Sequence, residues 1–210
     1  LVERCIIEDN EAYTGGGLDI EGPGSNPLIR DSVIRGNRAR NSSAVDVWYG
    51  VSARFERVSI VENSPIGATA TIGVSSGSRV ELVNTTLAGN AAPGLDLWYE
   101  GAAVLANSIV WGNTAPQITV SSGCTLAVAY SDVQGGAGGI EQAPGSDVSW
   151  LDGNLDLDPL FVDATAGDYR LQPTSPCGNA GIAHLEGDGR TIVDLGPEEY
   201  CGSAPEMGAF

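Results

Sequence analysis

Val58-Ser-Ile-Val-Glu-Asn63, Thr85-Thr-Leu-Ala-Gly-Asn90 and Ser108-Ile-Val-Trp-Gly-Asn113 are three copies of one pattern. Each closes on Asn, with an apolar residue three places earlier and a small one two places before that. Moving outward, Glu8-Asp9-Asn10 and Arg35-Gly36-Asn37 precede them, and Gly136 closes a degenerate sixth copy. The steps between closing residues are 27, 26, 27, 23 and 23. A period of that length fits one lap of a solenoid coil.

The columns test this idea. Three places before each closing residue stand Ile7, Ile34, Ile60, Leu87, Val110 and Val133. Eight places before, in the copies that reach so far, stand Ile29, Phe55, Leu82, Leu105 and Val128. The small column holds Cys5, Ser32, Val58, Thr85, Ser108 and Ser131. Small and apolar columns two residues apart carry the strand period. A third strand follows each Asn: Leu18–Glu21, Val45–Trp48, Ile72–Ser75, Leu95–Trp98 and Ile118–Ser121, aliphatic at its first and third positions. Three short strands per coil, over about six coils, give an all-β, right-handed parallel β-helix spanning residues 1–134. A sandwich of hairpins would need Asn-Gly or Asp-Gly turns at 8–12 residue spacing, which are missing before residue 150.

From about residue 135 the repeat stops, at Gly135-Gly-Ala-Gly-Gly139. Residues 135–210 are Pro-rich and are expected to form an irregular cap over the open end. At the other end, Leu1–Asn10 reads as the middle of a unit, so further coils are expected before Leu1.

Composition narrows the function. The chain of 210 residues has 27 acidic and 10 basic side chains, net −17, and all ten basic ones are arginine, with no lysine. Nucleic-acid backbones and anionic membrane surfaces call for clustered positive charge, which is absent. No run approaches the roughly 18 apolar residues of a membrane-spanning helix, so no direct membrane insertion is expected. With 42% hydrophobic residues the chain can still bury a core.

Several segments resemble a known family. These are Asn107-Ser-Ile-Val-Trp-Gly-Asn113, Tyr130-Ser-Asp-Val-Gln-Gly135, Gly153-Asn-Leu-Asp-Leu-Asp-Pro-Leu-Phe-Val-Asp163, Asp168–Gly181 and Pro205-Glu-Met-Gly-Ala-Phe210. Together they resemble the choice-of-anchor Q region of secreted, surface-attached β-helix proteins of the pectate-lyase-like type. The resemblance is close over about residues 100–210 and implies a bacterial-exterior or cell-surface protein, with an anchor following the closing segment. Where the family often carries Ile-Asp, this chain has Gly178-Asn179, so no role for that Asp is carried over.

Cys5 falls in the small inward column and is expected to be a buried free thiol. Cys177 and Cys201 both lie in the expected cap, and a disulfide between them would close a loop of about 25 residues, contributing roughly 3 kcal/mol. Zinc is disfavoured because His184 is the single histidine. No cofactor is expected apart from a possible calcium ion. Asp152, Asn154, Asp156 and Asp158 place oxygens at alternate positions, although Leu157 stands where an EF-hand needs Gly. The alternative is a solvated acidic loop.

The outward face of the third strand carries the functional expectation. One column is Asp19, Asp46, Gly73, Asp96 and Thr119, and beside it run Trp48 with Tyr49 and Trp98 with Tyr99. Aromatics around an acidic trough suit sugar rings, and exposed aromatic clusters mark binding surfaces. The ligand-binding set is therefore Asp19, Asp46, Trp48, Tyr49, Asp96, Trp98 and Tyr99, for a polysaccharide, a cell-surface glycan or a surface protein. The alternative is a glycoside hydrolase using Asp46 and Asp96, two coils or about 9.6 Å apart, near the upper limit for an inverting pair. Lyase chemistry lacks a basic residue in these columns. A purely structural stalk is the third reading.

Overall fold

The computed structural model describes residues 1–67 and 70–209; Phe210 of the family-like closing segment lies outside them. Three parallel sheets wind around one core. An 11-stranded sheet takes the first two strands of each coil, including Leu28–Arg35, Ser52–Val61, Arg79–Val83 and Ala102–Ala106. A six-stranded sheet stacks Leu18–Glu21, Val45–Trp48, Ile72–Val74, Leu95–Leu97, Ile118–Val120 and Ile140–Gln142. A short third sheet joins Glu11–Thr14, Arg38–Asn41 and Ser64–Pro65.

The expected columns are vertical neighbours. Ile29 pairs Phe55, which pairs Leu82, then Leu105, Val128 and Trp150. Ile34, Ile60, Leu87, Val110 and Val133 form the second column. Apart from the partly buried Trp150, both columns are fully buried or nearly so and belong to one cluster.

The bends along the first sheet are single left-handed residues. Arg4, Asp31, Arg57, Asn84, Asn107 and Tyr130 form one such column, with φ between 47° and 53°. A side chain other than Gly in that region costs roughly 1–2 kcal/mol, so stacking must hold each corner in place.

Two polar ladders run inside the corners. The closing Asn residues stack so that backbone N–H and Nδ2 of each donate to Oδ1 of the next: Asn10 to Asn37, Asn37 to Asn63, Asn63 to Asn90 and Asn90 to Asn113. From Asn37 onward, each Nδ2 also donates to a carbonyl of the preceding coil, as Asn63 does to Ile34 at 3.0 Å. Gln117 closes the ladder by accepting from Asn113. Beside it, the amides of Cys5, Thr85 and Ser108 donate to Ser32, Ser108 and Ser131 hydroxyls, and that of Ser131 donates to Asn154 Oδ1.

Two features differ from the sequence expectation. The solenoid continues past the glycine-rich stretch, because a 3-10 turn at Gly136–Gly139 replaces a corner and Ile140–Gln142 and Asp147–Trp150 rejoin two sheets. The C-terminal stretch then runs back along the flank. Glu206 O accepts from Asn84, Ile182 O from Asn107, and a hairpin of His184–Gly187 and Arg190–Asp194 lies on Val83, Val104 and Ala106. No helix among the described residues is long and apolar enough to cross a membrane.

The cysteine expectations need correction. All four are free, so Cys177 and Cys201 form no disulfide. Cys177 is buried on the flank with Ile109 and Met207, donating to Asp132 Oδ2 at 3.2 Å, while Cys201 is exposed at the surface. Cys5 is a free thiol and is exposed, in the first coil of the described residues.

Candidate functional site

The third-strand face forms as the columns require. Asp19 pairs Asp46, which pairs Gly73, then Asp96, Thr119 and Glu141. Inward aliphatics such as Val45, Val47, Leu95 and Leu97 anchor it to the core, and the alternation turns Asp and Trp outward.

Both tryptophans lean toward the preceding coil on that same face. Trp48 Nε1 donates to Asp19 Oδ1 at 2.9 Å. Trp98 reaches across Gly73: a Cβ added there would lie 2.5 Å from its Cη2, 2.7 Å from Asp46 Oδ1, and against the Ser42 hydroxyl. Gly73 thus leaves the space that the indole fills. Gly73→Ala is expected to displace Trp98 and shift the tryptophan emission spectrum while melting stays cooperative; an unchanged spectrum would contradict this packing.

Tyr49 stacks on Trp48, with centroids 4.4 Å apart and 28° between planes. Tyr49 and Tyr99 are 56% and 76% exposed. Both occupy left-handed corners, at φ 61° and 46°, in the column shared with Gly22 at 110° and Ser76 at 55°. A bulky residue there is a genuine outlier, where Gly would be unstrained. Left-handed corners recur in these coils, as at the partly buried Tyr130, but at Tyr49 and Tyr99 the ring also faces solvent.

The acidic trough is less open than the columns suggest. Asp46 is only 6% exposed, and Ser42, four residues earlier in the turn, donates to its Oδ1 at 2.8 Å. Burial pushes the Asp46 carboxyl up, the Ser42 bond pulls it back, and the charge of Asp19 raises it further. Burial also raises Asp96, with Glu141 adding to the rise. Both shifts have the same sign, whereas an acid–base pair needs environments that push the two apart. The Trp98 ring tip also sits over Gly73, between them in the column. Ser42, Gly73 and Glu141 were not among the sequence-selected residues.

Three of the four candidate calcium residues accept hydrogen bonds from backbone amides through their side chains. Asn154 Oδ1 accepts from Ser131, Asp156 from Gly135 and Asp158 from Leu160. Among the described residues, no group of three or more His, Cys, Asp or Glu gathers into a metal site.

Among family models, the one described as right handed beta helix region matches residues 2–141. Comparison with curated proteins and with solved structures gave no match.

Proposed function

We propose, from the premise that the chain belongs to the right-handed β-helix family, that it is a non-catalytic module docking a glycan or surface partner on its Asp/Trp/Tyr face. The observation that carries this reading is the pair of exposed tyrosines held in left-handed corners beside Trp48 and Trp98. Their rings offer flat apolar surface to sugar faces, and Asp19 and Asp96 offer acceptors to hydroxyls. The resemblance to the choice-of-anchor Q region supports placing this module outside a bacterial cell, at the surface. The hydrolase alternative through Asp46 and Asp96 is disfavoured by the burial of Asp46.

Tyr99→Gly separates function from folding. Relief of the strained corner is expected to leave the melting temperature equal or higher, by up to about 1 kcal/mol of stability. Binding on a panel of neutral and charged oligosaccharides is expected to fall at least roughly tenfold, the loss of one aromatic platform. A variant that keeps full binding, or a wild type that captures nothing on the panel and no cell-surface protein, contradicts the proposal.

A further inference from the structure

Asp147–Trp150 is the last strand of the largest sheet, and among the described residues it pairs only with Thr125–Ala129. The amides of Asp147 and Leu151 donate inward, to Cys124 and Val128 at 2.9 and 2.8 Å. Alternation in a parallel ladder turns the N–H and C=O groups of Val148 and Trp150 outward, to the free edge. Such an edge is a template for another strand.

A groove lies beside it. Val104, Ala127 and Ala129 form its floor with Ser149 and Leu151, and Leu185 and Ile192 of the hairpin form its wall. Its volume is about 280 Å³, and Leu151 is 49% exposed. The rim is acidic. Asp147 and Asp188 line the adjoining cleft, Glu186 lines the groove, and Asp152 follows the strand. Arg79, which lines that cleft, is already paired with Glu81 and Asp188, and Arg190 of the hairpin is paired with the same Glu81.

We infer that this edge and groove bind an extended segment of a partner protein, added as a parallel strand, with alternating small apolar residues and basic flanks. Main-chain bonds to Val148 and Trp150 supply affinity, alternate side chains enter the groove, and lysines or arginines meet the acidic rim. This surface is distinct from the Trp48/Trp98 face, and its use does not depend on glycan docking.

The probe is a fluorescein-labelled Lys-Lys-Val-Thr-Val-Ser-Val-Lys-Lys peptide, titrated against the whole chain by fluorescence anisotropy. Saturable binding is expected, weakened about tenfold in high salt. A copy N-methylated at alternate residues should bind at least roughly tenfold more weakly, because it cannot add to the ladder. Ser149→Arg, on an exposed position, should fill the groove and abolish binding with unchanged circular dichroism. Absence of saturable binding, equal binding of the N-methylated copy, or full binding by Ser149→Arg overturns the inference. So does sedimentation showing that the protein alone dimerises and that Ser149→Arg abolishes the dimer, since a second copy would then hold the edge.

Discussion

Asn63→Ala is expected to cost about 4 kcal/mol and lower the melting temperature by roughly 10 °C. Asn63 is fully buried, and its Oδ1 accepts from both the backbone and the side chain of Asn37. Its Nδ2 satisfies Ile34, Val61 and Asn90. Truncation to Ala leaves the Asn37 amide without its acceptor in a dry corner, and each such orphan costs about 1–3 kcal/mol. Coils in a solenoid are stable only through their neighbours, so the damage spreads to the corners of Asn37 and Asn90. The control is Asn26→Ala, at an exposed position, which should change stability by less than about 0.5 kcal/mol. Thermal and urea unfolding measure both. A loss under about 1 kcal/mol in Asn63→Ala would mean that the ladder does not hold the coils in register.

The second large effect concerns Asp132. It is fully buried at the end of the stack, accepting from Leu157 through Oδ1 and from the Cys177 thiol through Oδ2. Burial pushes its carboxyl up to about 6; the two hydrogen bonds oppose the rise, and Asp156 and Asp158 add to it. The folded state therefore binds a proton more tightly than the unfolded chain, whose Asp titrates near 3.8. Stability from this group is fully present below about pH 4, declines as pH rises to about 6, and stays lost above it. The loss is on the order of 3 kcal/mol. Asp132→Asn removes the ionisation. It should be more stable than wild type at pH 8 and nearly equal at pH 4, where the wild-type group is protonated. Urea denaturation of both proteins across this range checks the sign. A variant less stable at pH 8 than at pH 4, relative to wild type, would show that the charged carboxylate is the favoured form.

The coil pattern was legible because Asn, the small residue and the aliphatic columns recur at a fixed offset and stack as vertical neighbours. Ile34, Ile60 and Leu87 could be aligned by counting alone. What the Asn side chains do could not, since their partners are the same residues one lap away. The glycine run at 135–139 looked like an ending because glycine weakens strands. Yet Ile140 follows Ile118 by 22 residues and Trp150 follows Val128 by 22, a step that carries the period onward. The flank path of the C-terminal stretch, and Cys177 meeting Asp132 across 45 positions, leave no periodic trace.

The face itself was half legible. Alternation placed Asp19, Asp46, Asp96, Trp48 and Trp98 on one side, and they are there. Asp46 is buried beside a turn hydroxyl of Ser42 that bonds to it, and the left-handed corners of Tyr49 and Tyr99 depend on where each coil bends. Neither follows from strand period.

The central claim is that a partner docks on the Trp48/Trp98 face, and the four indole N–H resonances test it directly. Trp111 packs against Cys177 and Met207, and Trp150 caps the core at the far edge, so both lie off the face. With uniformly nitrogen-labelled protein, titration with a bound oligosaccharide from the panel should move the Trp48 and Trp98 signals and leave Trp111 and Trp150 in place. Movement of Trp111 or Trp150 with Trp48 and Trp98 unmoved would contradict the account.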